Sequence, residues 1–416
     1  MNCRHCNTPL KNTFLDLGYA PPSNAILTSE DLTKPEKYFP LKIMVCNTCW
    51  LVQTHDCLNA DQLFTPEYPY FSSTSSSWID HAKNYVDHIT ELLSLDEKSH
   101  IVEIASNDGY LLNHFVQRGI PCLGIEPTRS TACAAEKLGI PVIKEFFSEE
   151  FARMLVDKGK QGDLIIGNNV YAHVPDINDF TKGLKLALKP SGTITLEFHH
   201  LMCLLKHAQF DTIYHEHFSY LSLHTVYQIF ANYGLRVFNV EELPTHGGSL
   251  RIYACHQDDG RRENGSVENL LLKEEEFGMK DLNIFKRFKS KVENIKYDLM
   301  NFLLEQQRNG KSVVGYGAAA KANTLLNYAG IKPDLLKYVV DASPAKWKKF
   351  LPGSHIPIYN TEILRKEKID YLLILPWNIK DEILLQNSFL ASKGTRFCVA
   401  IPHFHFLRKN YHESKN

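Results

Sequence analysis

The sequence predicts an α/β protein: two doubly wound units behind a small metal-stabilised module. Three observations carry this. Apolar runs of strand length alternate with amphipathic helical stretches from His100 onward. The alternation starts afresh at Ser312, and in both places a turn of small residues follows the first strand and an acidic residue ends the second. Two Cys-x-x-Cys pairs, Cys3/Cys6 and Cys46/Cys49, precede both units.

A chain of 416 residues suggests two or three domains, and we set them at 1–70, 71–258 and 259–416. Hydrophobic content of 44% and charged content of 22% fit a globular protein. No apolar run reaches the roughly 18 residues of a membrane span, and no basic-then-apolar leader opens the chain. A net charge of −1 argues against a nucleic-acid partner. Ten cysteines without a secretion signal point to a reducing cytoplasm, with thiols or metal sites in place of disulfides. A monomer is expected.

Four thiolates in two knuckles suit a closed, tetrahedral, structural zinc site. The intervening Phe14–Val45 carries Pro21, Pro22, Pro35 and Pro40 and reads as irregular, so metal would supply stability that a small core cannot. Phe64–Ser77 mixes aromatics and hydroxyls and reads as a loop, from which Tyr68 and Tyr70 could close over a ligand. Trp78–Leu93 follows as an amphipathic helix.

Ile101–Leu112, IVEIASNDGYLL, is the centre of the first unit: a buried strand, a tight turn and a helix start. Such a turn brings backbone N–H groups close to a ligand. The next strand, Cys122–Ile125, ends in Glu126, the usual partner of two ribose hydroxyls. Further strands are expected at Pro141–Ile143, Asp163–Gly167, Thr193–Phe198, Leu235–Val240 and Ser249–Ala254. Together they make a seven-stranded, mostly parallel sheet with one reversed edge.

Leu270–Leu304 reads as charged helix. In the second unit the strand Ser312–Val314 leads into Gly315-Tyr316-Gly317-Ala318-Ala319-Ala320-Lys321, and Tyr338–Val340 ends in Asp341. This looks like half of a dinucleotide fold with Ala320 at the third glycine, so a nicotinamide-dependent oxidoreductase is the rival reading. We read the loop as a nucleotide-sugar site instead, with Lys321 on phosphate.

The densest chemistry lies in Phe210–Tyr220, FDTIYHEHFSY, where Tyr214, His215, Glu216 and His217 adjoin. A neutral imidazole can take a proton near neutrality, and a phenol can donate to a developing oxyanion. The spacing is not His-Glu-x-x-His, which disfavours a metalloprotease. A second metal on His215 and His217, with His199 or His200, is a lesser alternative.

Six motifs occur in order: the CxxC pairs, IVEIASNDGYLL, NNVYAHVPD, YHEHFSY, HGGSLR and GYGAAAKANTLLN. In this the chain resembles the S-adenosylmethionine (SAM)-dependent C-methyltransferases of nucleotide-linked 4-keto-6-deoxyhexoses. The resemblance implies a zinc module, a central class I SAM-binding domain and a C-terminal Rossmann-like domain for the sugar nucleotide. It implies donor contacts from Glu103, Ala105, Asn107, Asp108, Gly109, Glu126 and Asn168, with Phe146 flanking the adenine. His217 resembles the general base; Tyr214, Glu216, His173 and Tyr68 match residues around the substrate. Tyr316, Lys321 and Asn323 fall in the C-terminal motif that would meet the sugar nucleotide. The expected reaction makes an enolate next to the ketone, at C-3 or C-5, for which Tyr214 or His173 would bond the oxygen. Two departures stand out. Ala105 and Ala322 occupy positions where the family often has glycine, which questions ligand affinity if positive φ is required.

Overall fold

The computed structural model describes residues 1–55, 58, 63 and 71–407. Tyr68 and Tyr70 lie outside the described residues. The chain divides into two compact units. The first comprises Met1–Thr13, Ile43–Cys203 and Glu216–Leu282; the second comprises Phe14–Lys42, Leu204–His215 and Asn283–Asn416.

Phe14–Val45 is more regular than its prolines suggest. It holds strands β1 (Asn12–Ala20) and β2 (Phe39–Val45), and only the residues between them are irregular. In β1, Phe14, Leu15, Leu17 and Ala20 are buried between exposed neighbours, a pattern outweighed in the sequence by Pro21 and Pro22. The end of β2 pairs antiparallel with β3 (Val52–Thr54), which pairs with β9 (Ser219–Tyr220). Helix α1 (Ser76–Leu93) follows, with the Ser75 side chain accepting the Trp78 N–H as its cap.

The first unit's main sheet has seven strands. They are β4 (Ile101–Ile104), β5 (Cys122–Ile125), β6 (Val142–Ile143), β7 (Gly162–Asn168), β8 (Leu188–His199), β10 (Leu235–Leu243) and β11 (Ser249–His256). Their order is β10-β11-β8-β7-β4-β5-β6. The reversed strand is β11, antiparallel to both neighbours and one place in from the edge; β10 is the edge strand. The expected reversed edge is corrected accordingly: the β10–β11 hairpin inserts its second strand beside β8. Every residue of β4 is buried. Each of its aliphatic side chains contributes about 1.5–3 kcal/mol of burial, whereas burying the carboxylate of Glu103 opposes folding. Glu103 is therefore placed against stability.

The expected helix Leu270–Leu304 is two helices, Gly265–Phe277 and Leu282–Arg308. Gly278, at φ +90°, ends the first in the left-handed conformation that glycine adopts without strain. In the second unit, β12 (Val313–Tyr316), β13 (Val339–Asp341), β14 (Ile358–Asn360), β15 (Tyr371–Ile374), β16 (Arg396–Val399) and β17 (His405–Phe406) form a sheet. Its order is β14-β13-β12-β15-β16-β17, parallel except for β17.

Candidate active site

The turn after β4 is built from left-handed residues: Ala105 at φ 55°, Asn107 at 50° and Gly109 at 79°. Position 105 thus does require positive φ, and its methyl group makes that conformation cost about 1–2 kcal/mol. Neighbours hold the turn in place. Glu126 accepts the Asn107 N–H at 2.9 Å, and the Ile125 carbonyl accepts the Ser106 N–H at 3.2 Å. The N–H groups of Ser72 and Ser73 donate to the side chains of Asn107 (2.9 Å) and Asp108 (3.0 Å). Gly124 makes room: a Cβ there would meet the Ser106 hydroxyl at 2.5 Å.

Four buried acceptors converge on this turn. Glu103 Oε2, Ser106 Oγ, Asp108 Oδ1 and Asn168 Oδ1 have no hydrogen-bond partner among the described residues. Burial holds the Glu103 carboxyl well above the usual carboxylate range, and the charges of Asp108 and Glu126 push it further up. Orphaned buried acceptors are rare in native proteins, and here they sit among three carboxylates. A donor that is itself a cation satisfies both conditions, and SAM presents an α-ammonium and a sulfonium. Glu126 also accepts the Thr128 N–H at 2.9 Å; its oxygens keep lone pairs for ribose hydroxyls. Phe146 is exposed at 46%, available as an adenine wall, while Phe147 packs inward on Phe180 and Phe151.

His173 of NNVYAHVPD and His217 of YHEHFSY meet within the first unit. The His173 and His217 rings are 4.6 Å apart, tilted by 56°. His173 Nδ1 lies 2.7 Å from the Glu216 carbonyl, which only accepts, so Nδ1 carries the proton and Nε2 the lone pair. Burial pushes His173 down to about 4, keeping it neutral. Glu216 and His217 belong to the first unit, whereas Tyr214 and His215 belong to the second. There His215 is buried, with its ring edge-on to Phe39 at 6.2 Å.

One network escaped the sequence reading. Glu197, at the end of β8, is fully buried and bonded to His81 (2.8 Å), Arg251 (2.7 Å) and Thr245 (2.9 Å). Burial would raise its pKa, but His81, the Arg251 charge and Thr245 together hold it at about 2. Trp78 stacks on His81 at 4.9 Å and lies 4.9 Å from His246, whose Nε2 is 3.4 Å from Asn169 Nδ2. Arg251 in HGGSLR was the available signal.

The four N-terminal thiols gather as expected. Their sulfurs lie within 4.8 Å of one another, with Cys3–Cys49 and Cys6–Cys46 each at 3.5 Å. The contact with Cys49 brings Cys3 down to about 4, while Cys49 is pushed up. Four soft donors without a carboxylate suit zinc in a closed shell. Cys3, Cys46 and Cys49 join the same core as the seven-stranded sheet, so this module shares a core that the sequence did not promise. His200, offered as a ligand of a second metal, is instead bonded to Glu274 at 2.7 Å.

In the second unit the GYGAAAK loop joins β12 to the helix Ala320–Ala329. Asp341 accepts the Ala318 N–H at 2.7 Å, and Lys346 caps the pair through the Ala318 carbonyl (2.9 Å) and Asp341 (3.4 Å). Lys321 is lowered to about 8 by burial, bonded to Asn378 at 3.1 Å and set over the Trp377 ring at 4.6 Å. Asn323 donates to the Ser23 carbonyl at 2.6 Å, and Tyr316 is buried in the core of the sheet. Ala322 sits inside the helix, where no positive φ is needed.

A Rossmann-like sheet carrying an acidic, cation-seeking turn defines a SAM-dependent methyltransferase. Family models agree: a methyltransferase domain matches residues 78–240, a zinc binding domain 3–64 and a C-methyltransferase C-terminal domain 244–402. The C-methyltransferase NovU of Streptomyces niveus is 32% identical over 400 residues, covering 96% of this chain and 95% of that protein. The chain therefore belongs to this C-methyltransferase family. Solved structures with local likeness include a SAM-dependent methyltransferase from Anabaena variabilis (14% identity, TM-score 0.38, covering 48% of this chain and 96% of that one). Another is magnesium protoporphyrin IX methyltransferase from Synechocystis (14% identity, TM-score 0.34, covering 43% and 84%). Among the described residues no helix is long and apolar enough to cross a membrane.

Proposed function

We propose that the protein methylates C-3 of a nucleotide-linked 4-keto-6-deoxyhexose, producing a branched sugar. The observation that carries this is the His173–His217 pair, two imidazoles 4.6 Å apart in the unit that also holds the turn after β4, of which His173 is kept neutral by burial. Carbon is methylated only as a nucleophile, and a ketone makes the adjacent C–H acidic enough for an imidazole to ionise. SAM supplies the electrophilic methyl group; Glu103, Asp108, Asn168, Glu126 and Phe146 hold it. His217 removes the proton. His173, protonated at Nδ1 and neutral, has only an acceptor left at Nε2, so it steadies the base and does not donate to the enolate oxygen. That donation falls to Tyr214, with Glu216 and Tyr68 completing the substrate's surroundings.

The sugar nucleotide is assigned to the C-terminal module, where Lys321, near the start of its helix, contacts phosphate, and Asn323 and Tyr316 shape the surrounding loop. The working modules are 1–70, 71–258 and 259–416. A nicotinamide role is disfavoured because Asp341, which would bind ribose, already holds its own loop and Lys346. The test is mass spectrometry of the protein with SAM and a panel of nucleotide-linked 4-keto-6-deoxysugars. One methyl gained on one sugar, with S-adenosylhomocysteine released and NMR placing the group at C-3, is the expected result. SAM binding without transfer to any ketosugar would overturn the substrate assignment.

A further inference from the structure

Away from the donor turn, the first unit holds a cysteine, a histidine and a glutamate in series. Cys203, half-buried, has its sulfur 3.9 Å from His200 Nδ1. The other ring nitrogen, Nε2, lies 2.7 Å from Glu274 Oε1. His200 and Glu274 are each 1% exposed. Glu274 is held in place from the backbone: it accepts the Leu223 N–H at 2.6 Å and the His224 N–H at 2.8 Å. An acceptor-only carboxylate on Nε2 places the ring proton there and turns the Nδ1 lone pair toward the thiol. This is the order of an activated nucleophile: thiol, base, orienting acid. The methyl transfer proposed above assigns it no role.

We infer that Cys203 is a base-activated thiol, open to covalent modification by hydroperoxides and soft alkylating electrophiles, with His200 as its proton acceptor and Glu274 as the positioning residue. With a hydroperoxide, the thiol proton passes to His200 and the sulfur attacks the distal oxygen. The S–O bond forms as the O–O bond breaks, and the leaving alkoxide takes the proton from His200. The products are a sulfenic acid and an alcohol; sulfur is oxidised by two electrons and the peroxide reduced by two. Against burial, the Cys203 and Glu274 contacts raise His200 to about 9, so the ring retains the proton it takes from the thiol and the pair rests as imidazolium beside thiolate. Around Glu274, the His224 ring is held below its ordinary range by burial and by Lys280, with Glu274 and Glu275 opposing.

The site also touches the turn before β11. The Gly248 carbonyl accepts the His200 N–H at 3.0 Å, and a Cβ on Gly248 would stand 2.6 Å from the Cys203 sulfur. An oxygen added to that sulfur on the Gly248 side would displace the Thr245–Gly248 turn, which carries His246 and the Thr245 bond to Glu197. Oxidation is therefore expected to slow methyl transfer.

The experiment uses the full-length, zinc-loaded protein. Iodoacetamide labelling from about pH 6 to 9.5 is followed by peptide mass spectrometry, with half-buried Cys133 of the same unit as the reference thiol. Near pH 6.5, Cys203 should react about tenfold faster than Cys133, with a rate nearly flat in pH. His200→Gln should remove that advantage near pH 6.5 yet leave the rate at high pH within about twofold of wild type. Cys203 titrating together with Cys133, or reacting more slowly at every pH, would overturn the inference from wild-type data alone, whether or not the variant folds. A stoichiometric peroxide pulse should then give a dimedone-trapped sulfenic acid at Cys203, and Cys203→Ala should keep unoxidised activity while losing peroxide sensitivity. Peroxide inhibition unchanged in Cys203→Ala would refute the link to the turn.

Discussion

The protein contains the same local construction twice and finishes it differently. In the first unit, Glu126 at the end of the second strand holds the Asn107 N–H of the turn after β4. In the second, Asp341 holds the Ala318 N–H of the turn after β12 in the same manner. In and around the first turn, four buried oxygens, those of Glu103, Ser106, Asp108 and Asn168, lack partners among the described residues. The second is closed from within, by the Lys346 ammonium over the carboxylate and the carbonyl. The difference teaches that a strand–turn–helix with an acid beyond it supplies a scaffold only. Charge left unmet selects the ligand, and charge already met withdraws the turn from that role.

The comparison can be broken most decisively at the base. His217→Asn should lower transfer by roughly a hundred- to ten-thousandfold with SAM affinity intact, and should stop deuterium exchange beside the ketone. Undiminished exchange would remove His217 as the base. Next in size are the two turns themselves. Glu103→Gln should weaken SAM binding by about ten- to a hundredfold, because a charge-assisted partner is lost from a buried site. Asp341→Asn should leave SAM binding within about twofold, because its carboxylate is bonded inside the other unit. Calorimetry of both variants decides whether unmet charge matters.

A third test reads protons. Glu103 is held above its ordinary pKa in the absence of a ligand, so part of the population is protonated. A cationic donor favours the ionised form, so binding should release a proton, and affinity should rise with pH through the titration range of Glu103. Binding enthalpies in two buffers of different ionisation enthalpy would measure that release; equal enthalpies would deny it. The smallest effects exchange glycine and alanine between the turns. Ala105→Gly should stabilise the protein by about 1 kcal/mol, by relieving the left-handed alanine. Gly317→Ala, at φ +96° with Pro376 standing 2.5 Å from the new Cβ, should cost about 1–3 kcal/mol. Thermal melts measure both.

What the sequence disclosed follows from what is local in it. The strands β4, β5 and β7, and the second half of β8, are short apolar runs between turn residues, and the cysteine pairs announce themselves by spacing. The positive φ at position 105 was a question the motif could raise, and only backbone geometry answers it. The Glu197 network was illegible because its bonds join residues as distant as His81 and Arg251. The protonation of His173 hangs on a carbonyl 43 positions away, and a main-chain acceptor leaves no trace in a side-chain pattern. Strand β1 was masked by the prolines behind it, since turn residues past a strand's end resemble turn residues within it.

The contacts from Ser72 and Ser73 to Asn107 and Asp108 are made by peptide N–H groups. Every residue type except proline offers that same hydrogen. The serine-rich stretch is therefore free to drift in composition during evolution while the grip it exerts persists, and only an imino acid at either position would release it.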